Sequence, residues 1–201
     1  EIDMTSVMAQ VLKYAAQLPE GRPLAAKELW HLGSRAAVDQ SLSRLVRSGA
    51  MLRAGRGVYV KPVESQFGTR APMSMKVVQE LAAKRGETIV PHGAVAANAL
   101  GLTTQVPTRE VYLASGPTRR LKLGSQIVEL RHAPRWQLTL PGQGAGNVVR
   151  ALAWMGPGKT SEAIRKLKST LPANELAEIA STRAQLPSWM AQEVGEFVTH
   201  A

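Results

Sequence analysis

Hydrophobic positions recur with a helical period at the start of the chain. Over residues 5–18, which begin at Thr5, the apolar residues Val7, Val11, Tyr14 and Leu18 share one face, and Pro19-Glu20-Gly21 breaks the repeat. A short second helix is expected after Pro23, carrying Leu24, Lys27, Glu28, Leu29 and Trp30 and stopping at Leu32-Gly33, where glycine permits a tight turn. Ser34 then caps a third helix over 34–48. Val38, Leu42, Leu45 and Val46 line its core face at i, i+4, i+7 and i+8, while Ala36, Gln40, Ser43, Arg44 and Arg47 fall on the opposite face without apolar bulk. After Gly49 the period shortens to two. Met51-Leu52-Arg53-Ala54 and Val58-Tyr59-Val60 flank Gly55-Arg56-Gly57, which predicts a β-hairpin over 51–60 with arginine at its tip.

Residues 61–72 have no sustained period and contain Gly68, so they read as a connector. A helix over 75–85 follows, with Val77, Val78, Leu81 and Ala82 apolar and Gly86 at its end. His92-Gly93-Ala94 opens another short helix through Val95, Ala96, Ala97 and Ala99. Strands are expected over 110–114, 119–123 and 125–132, the first two joined by Ser115-Gly116-Pro117-Thr118, which makes a small antiparallel sheet. Helical periodicity returns over 147–155, 160–169, 173–183 and 188–198, punctuated by Pro157, Pro172 and Pro187. Trp154, Leu167, Leu171, Ile179, Leu186, Trp189 and Phe197 are expected to pack there, and the glycines between 142 and 146 to form a flexible lead into the first of these helices. The expected fold is α+β. A three-helix unit with a basic hairpin in 1–62 follows the winged helix-turn-helix plan, and 73–201 form a C-terminal domain with its sheet in 108–140 and its helical tail in 146–199.

Charge sharpens this picture. The chain carries 25 Lys and Arg against 15 Asp and Glu, a net +10 that points to a polyanionic partner. Between Ser34 and Lys61 six cations face one acid, so the excess lies where the third helix and the hairpin need it. Residues 65–140 are net +6, from ten cations and four acids, whereas 146–201 are close to neutral. Cysteine is absent, which rules out disulfides and thiolate metal sites and suits a cytoplasmic protein. No apolar run approaches the ~18 residues of a membrane helix and no signal segment opens the chain. Glu1 is not a start methionine, so native residues are expected ahead of it.

Enzymatic motifs are not met. Gly156-Pro157-Gly158-Lys159-Thr160 resembles part of a phosphate loop, but Ala153 stands where the first glycine is needed and the preceding segment reads as helix. Asp3 and Asp39 are the only aspartates, too few for a clustered metal site, and His31, His92, His132 and His200 have no carboxylate at metal-motif spacing. No Gly-x-Ser-x-Gly elbow occurs. The expectation is therefore a binding protein, not an enzyme, with neither cofactor nor metal. Double-stranded DNA is the expected partner, contacted by Lys27, Ser34, Arg35, Gln40, Ser43, Arg44, Arg47, Arg53 and Arg56. Arg35 sits in the first turn of its helix, where the dipole disfavours a cation, so a phosphate or guanine edge outside the helix is expected to compensate. Arg119, Arg120, Lys122, Arg131 and Arg135 form a secondary basic patch that could extend the DNA footprint, grip an acidic protein or simply be solvated. A solvated basic face, or a module for protein contact, would fit the first sixty residues as well.

Three stretches carry a family resemblance. Leu-Gly-Ser-Arg-Ala-Ala-Val-Asp-Gln-Ser-Leu-Ser-Arg-Leu from Leu32 to Leu45, Gly55-Arg56-Gly57-Val58-Tyr59, and Ala-Ala-Asn-Ala-Leu-Gly-Leu-Thr-Thr-Gln-Val-Pro from Ala96 to Pro107 resemble the AbiEi-like antitoxins of type IV toxin-antitoxin and abortive-infection systems. Leu186-Pro187-Ser188-Trp189-Met190 is similar to that family's C-terminal end. The resemblance implies a transcriptional autorepressor that binds inverted repeats in its own promoter, and a C-terminal domain that neutralises a nucleotidyltransferase-like toxin, directly or indirectly. By position Arg35, Gln40, Arg44 and Arg47 match the recognition helix, and Arg53 and Arg56 the wing. Two other functions stay open: a nucleic-acid-binding regulator without a toxin partner, and a DNA-anchored nuclease.

Overall fold

The structure, a computed structural model, describes residues 6–198. Asp3, Thr5 and His200 lie outside the described residues, as does the side chain of Phe197. The chain mixes helices with small β-sheets and divides into two compact units, Glu1–Glu87 with Arg120–Val128, and Thr88–Arg119 with Glu129–Ala201.

The first unit opens with helix α1 (Val7–Ala16), whose N-terminus is capped where the Ser6 hydroxyl accepts from the Ala9 amide at 3.2 Å. The second helix expected after Pro23 does not begin there. Leu24 and Ala25 are extended as strand β1 (Leu24–Ala25) because they pair antiparallel with Tyr59 and Val58, and the segment that follows, Ala26–Leu32, is a 3₁₀ helix. Glycine at 33 is not needed for a left-handed turn, since its φ of 167° is extended. It is needed for space: a Cβ there would lie 2.9 Å from the Val7 Cγ2. Helix α2 (Arg35–Arg47) follows, and strands β2 (Leu52–Gly55) and β3 (Val58–Val60) complete a three-stranded sheet in the order β1-β3-β2. Val11, Ala15, Leu24, Leu29, Val38, Leu42, Leu45 and Met51 are buried together as the core of this region.

Residues 61–72, read as a connector, instead carry a second hairpin of β4 (Val63–Ser65) and β5 (Gly68–Arg70), with Phe67 exposed at its tip. Helix α3 (Ser74–Arg85) belongs to the first unit because its polar side chains are tied to the segment before β1 and to the 3₁₀ helix. Arg22 meets Glu80 at 3.0 Å, Lys76 meets Glu20 at 2.6 Å, and Lys84 reaches both Glu28 at 2.5 Å and the Pro23 carbonyl at 2.6 Å. Gly21, with φ +84°, closes this contact, for a Cβ would come within 2.9 Å of the Val77 amide nitrogen.

The second unit begins with a strand that periodicity did not reveal, β6 (Ile89–Pro91), which pairs antiparallel with β7 (Glu110–Ala114). Helix α4 (Gly93–Ala99) lies between them in sequence. Strands β8 (Arg119–Leu123) and β9 (Gln126–His132) follow in a sheet of strand order β6-β7-β9-β8, their residues Arg120–Val128 being counted with the first unit. A 3₁₀ turn at Arg135–Leu138 leads to α5 (Gly144–Met155), α6 (Pro157–Lys168), α7 (Ala173–Ser181) and α8 (Ser188–Val198). Ala145, Val148, Val149, Leu152, Ile164, Leu167, Ile179, Leu186, Met190 and Val194 form the buried core of these helices. Trp154, expected to pack, is 38% exposed. The glycines before α5 are not a flexible lead. Gly144 and Gly146 are inside the helix, and a Cβ on Gly146 would lie 2.2 Å from the Leu140 carbonyl oxygen. No helix among the described residues is long and apolar enough to cross a membrane.

Candidate nucleic-acid interface

Helix α2 is amphipathic in the manner its sequence requires. Val38 and Leu42 are fully buried and Leu45 nearly so, which fixes the rotation of the helix about its axis. The opposite face is therefore turned outward: Ser34, Arg35, Ala36, Gln40, Ser43, Arg44 and Arg47 are all exposed. The start of the helix is rigid because the Ser34 hydroxyl accepts from the Ala37 amide at 3.2 Å, and its end is closed by Gly49, whose φ of +78° suits glycine and whose amide donates to the Val46 carbonyl. Arg47 donates to the Ser43 carbonyl at 3.4 Å, which draws its guanidinium along the helix.

The hairpin adjoining α2 has the tip expected of it. Arg56 and Gly57 form a two-residue turn between β2 and β3, with Gly57 at φ +66°, and Arg56 is exposed there. On β2 Arg53 is exposed opposite Tyr59, and the register shifts between Arg53 and Gly55, where the intervening Ala54 is buried. Lys27 is exposed on the 3₁₀ helix.

The distribution of acids matters as much as that of the bases. In the first unit Glu20, Glu28, Glu80 and Glu87 are engaged by Arg70 and Lys76, by Lys84, by Arg22 and by Arg85. Among the described residues no acid pairs with Arg44, Arg53 or Arg56, so these three cations remain available to an external anion. Arg35 differs. Its Nε lies 3.9 Å from the Asp39 carboxylate, and its guanidinium carbon stands 5.7 Å from the centre of the Trp30 ring. Part of the compensation for a cation in the first turn of α2 thus comes from Trp30, which lies outside that helix as expected, and part from Asp39, which lies on it. Neither Trp30 nor Asp39 was assigned a place in the site from sequence. Trp30 is separated from α2 by Gly33, and no periodicity spans that break.

The secondary patch is not one group. Arg120 and Lys122 belong to the first unit, exposed on alternate positions of β8 while Leu121 and Leu123 are buried. The Arg120 carbonyl lies 3.8 Å from the position a Cβ would take on Gly55, so β8 comes close to the end of β2 at that point. Arg119, Arg131 and Arg135 belong to the second unit. There Arg131 is held by both oxygens of Glu129, at 3.1 and 3.4 Å, and Arg119 donates to the Pro117 carbonyl at 3.1 Å. Arg135 is exposed on its 3₁₀ turn.

No curated protein and no solved structure matches the chain. Residues 10–179 match the model of a family of unknown function, DUF6088. Because that match runs from within α1 to within α7 and so takes in both compact units, the chain belongs to the DUF6088 family.

Proposed function

We propose that the first sixty residues are a winged helix-turn-helix that reads duplex DNA, with α2 in the major groove and the β2–β3 hairpin as the wing. The chain then serves as a transcriptional autorepressor at inverted repeats of its own promoter. The observation that carries the reading is the asymmetry of α2: one face buried through Val38, Leu42 and Leu45, the other polar, exposed and free of unpaired acid, next to a hairpin tipped by Arg56. Such a face fits a groove sterically, and its cations replace condensed counterions on the phosphates. Arg120 and Lys122 extend the wing's cationic surface along β8.

Within this reading the chain is a binding protein without catalysis. Asp39, one of the chain's two aspartates, faces solvent beside Arg35. An antitoxin role toward a nucleotidyltransferase-like toxin rests on the resemblance of the stretch from Ala96 to Pro107 and of Leu186 to Met190 to AbiEi-like antitoxins.

The test of DNA reading is a gel shift with the duplex upstream of the chain's own gene against a mixed-sequence duplex. The wild type should prefer the former, and the Arg44→Ala/Arg47→Ala/Arg56→Ala variant should lose both the preference and most of the affinity. Equal binding by variant and wild type would discard the docking. For the antitoxin role, co-expression with the product of the adjacent gene should relieve that product's toxicity; a toxic neighbour left unrelieved would remove this part.

A further inference from the structure

Arg35 occupies the least favourable place on α2 for a positive charge, the first turn, where unpaired amides already present partial positive charge. It is nevertheless not left to wander. Trp30, half exposed at 49%, offers its ring to the guanidinium at 5.7 Å, and Asp39, one turn further along α2, stands 3.9 Å from its Nε. Both contacts are weak alone, since solvent screens an exposed cation–π pair and an exposed ion pair. Together they restrict a long, flexible side chain from two sides. A planar fork restricted in this way loses less freedom when it makes two parallel hydrogen bonds.

From this juxtaposition we infer that Arg35 is a guanine-reading side chain, and that Trp30 and Asp39 are positioning residues that hold it ready. The inference rests on α2 being the groove-reading helix, and it adds which base that helix reads and how. The chemistry favours guanine over phosphate as the target. Guanine alone presents two acceptors, N7 and O6, that match the guanidinium fork in the major groove. Asp39 repels a phosphate but tolerates a base edge, and its carboxylate can accept from the amino group of a neighbouring cytosine. A merely phosphate-binding arginine would gain nothing from an acid one turn away.

The experiment uses the full chain and the duplex upstream of its gene, in a series where single guanines are replaced by 7-deazaguanine, which removes the N7 acceptor. Wild-type protein should show at least one position at which the replacement weakens binding about tenfold or more. In Arg35→Ala that penalty should disappear. Trp30→Ala should reduce discrimination by several-fold, Trp30→Phe should largely restore it, and Asp39→Asn should raise affinity for mixed-sequence DNA while lowering the preference for the upstream duplex. Trp30→Ala in the Arg35→Ala background should cost nothing further, because a positioning residue acts only through the side chain it positions. Two results overturn the proposal while the α2 variants still lose specific binding. One is that no 7-deazaguanine penalty depends on Arg35; the other is that Trp30→Ala costs the same with and without Arg35. Absence of any sequence preference in the wild type would overturn the groove reading itself, and is seen before any variant is made.

Discussion

The Ser34 hydroxyl accepts a hydrogen bond from the Ala37 amide at 3.2 Å, and so decides where α2 begins and in which direction Arg35 leaves the backbone. Ser34→Ala should cost about 1 kcal/mol of stability, the usual value of an N-cap, read as a lower midpoint in thermal or urea unfolding. Ser34→Asp caps as well as serine but adds a negative charge to a face proposed to meet phosphates. It should therefore retain stability and lose DNA affinity, measured by fluorescence anisotropy. If Ser34→Asp bound DNA like the wild type, α2 would not enter the groove by its N-terminal end.

Arg56 and the pair Arg120 and Lys122 make a second, separable prediction. None of the three lies on α2, so their proposed contacts are with the backbone and carry no base identity. Arg56→Ala should weaken binding to upstream and mixed-sequence duplexes alike, and reduce the slope of log affinity against log salt by about 0.9, one phosphate's share. Arg120→Ala/Lys122→Ala should reduce it by about 1.8 if both reach phosphates. Arg131→Ala should change the slope little, because Glu129 already neutralises it. A salt slope unmoved by the double variant would confine the footprint to α2 and the wing.

What could be read in the sequence follows from how local each determinant is. Helix α2 was legible in full, because its cap, its buried stripe and its terminal glycine lie within sixteen consecutive residues, 34–49. The β2–β3 hairpin was legible for the same reason, its turn residues sitting between two alternating runs. Strand β1 was not. Leu24 and Ala25 are extended only because Tyr59 and Val58 pair with them from far along the chain. The β4–β5 hairpin escaped notice because nearly every side chain on it is exposed, leaving no alternation of apolar and polar positions to detect. In the site itself the cations were identifiable from the helical face, but the pairing of Arg35 with Trp30 depends on how the 3₁₀ helix and α2 are set against each other across Gly33 and Ser34, which no periodicity encodes.

His92 supplies a pH prediction. Its Nδ1 accepts from the Ala94 amide at 3.2 Å, which requires the ring nitrogen to be unprotonated, and burial, with a further push from Arg131, holds its pKa below 6.5. In the unfolded chain the ring takes a proton near 6.5, whereas in the fold it resists until lower pH. The unfolded state thus binds more protons between those two values, and stability is lost as pH falls below about 6.5. His92→Asn, which caps without titrating, should remove this contribution. Melting temperatures at about pH 7.5 and about pH 5.5 should differ more for the wild type than for His92→Asn. An equal difference in both proteins would mean that His92 is not the titrating group.

Arg150 sets the last prediction, and it concerns a charge buried without a carboxylate. The residue is 1% exposed, and its guanidinium donates to the Thr139 carbonyl at 3.1 Å, the Gln137 carbonyl at 3.4 Å and the Asn147 side-chain oxygen at 2.9 Å. Burial lowers its pKa to about 10, so it is still charged at neutral pH. Oxygen dipoles at the end of the Arg135–Leu138 turn and on α5 itself therefore carry that charge. Gly146 gives the approach its room, since a Cβ there would lie 3.0 Å from the Arg150 Nη2 as well as against the Leu140 and Thr139 carbonyls. Arg150→Ala loses the volume and strands the carbonyls, and should cost about 3 kcal/mol or more. Arg150→Met restores most of the volume but none of the donors, and should still cost about 1 to 3 kcal/mol. Urea unfolding of the two variants against the wild type separates the terms. If methionine were as stable as arginine, the hydrogen bonds would contribute nothing net, and packing alone would hold the turn against α5.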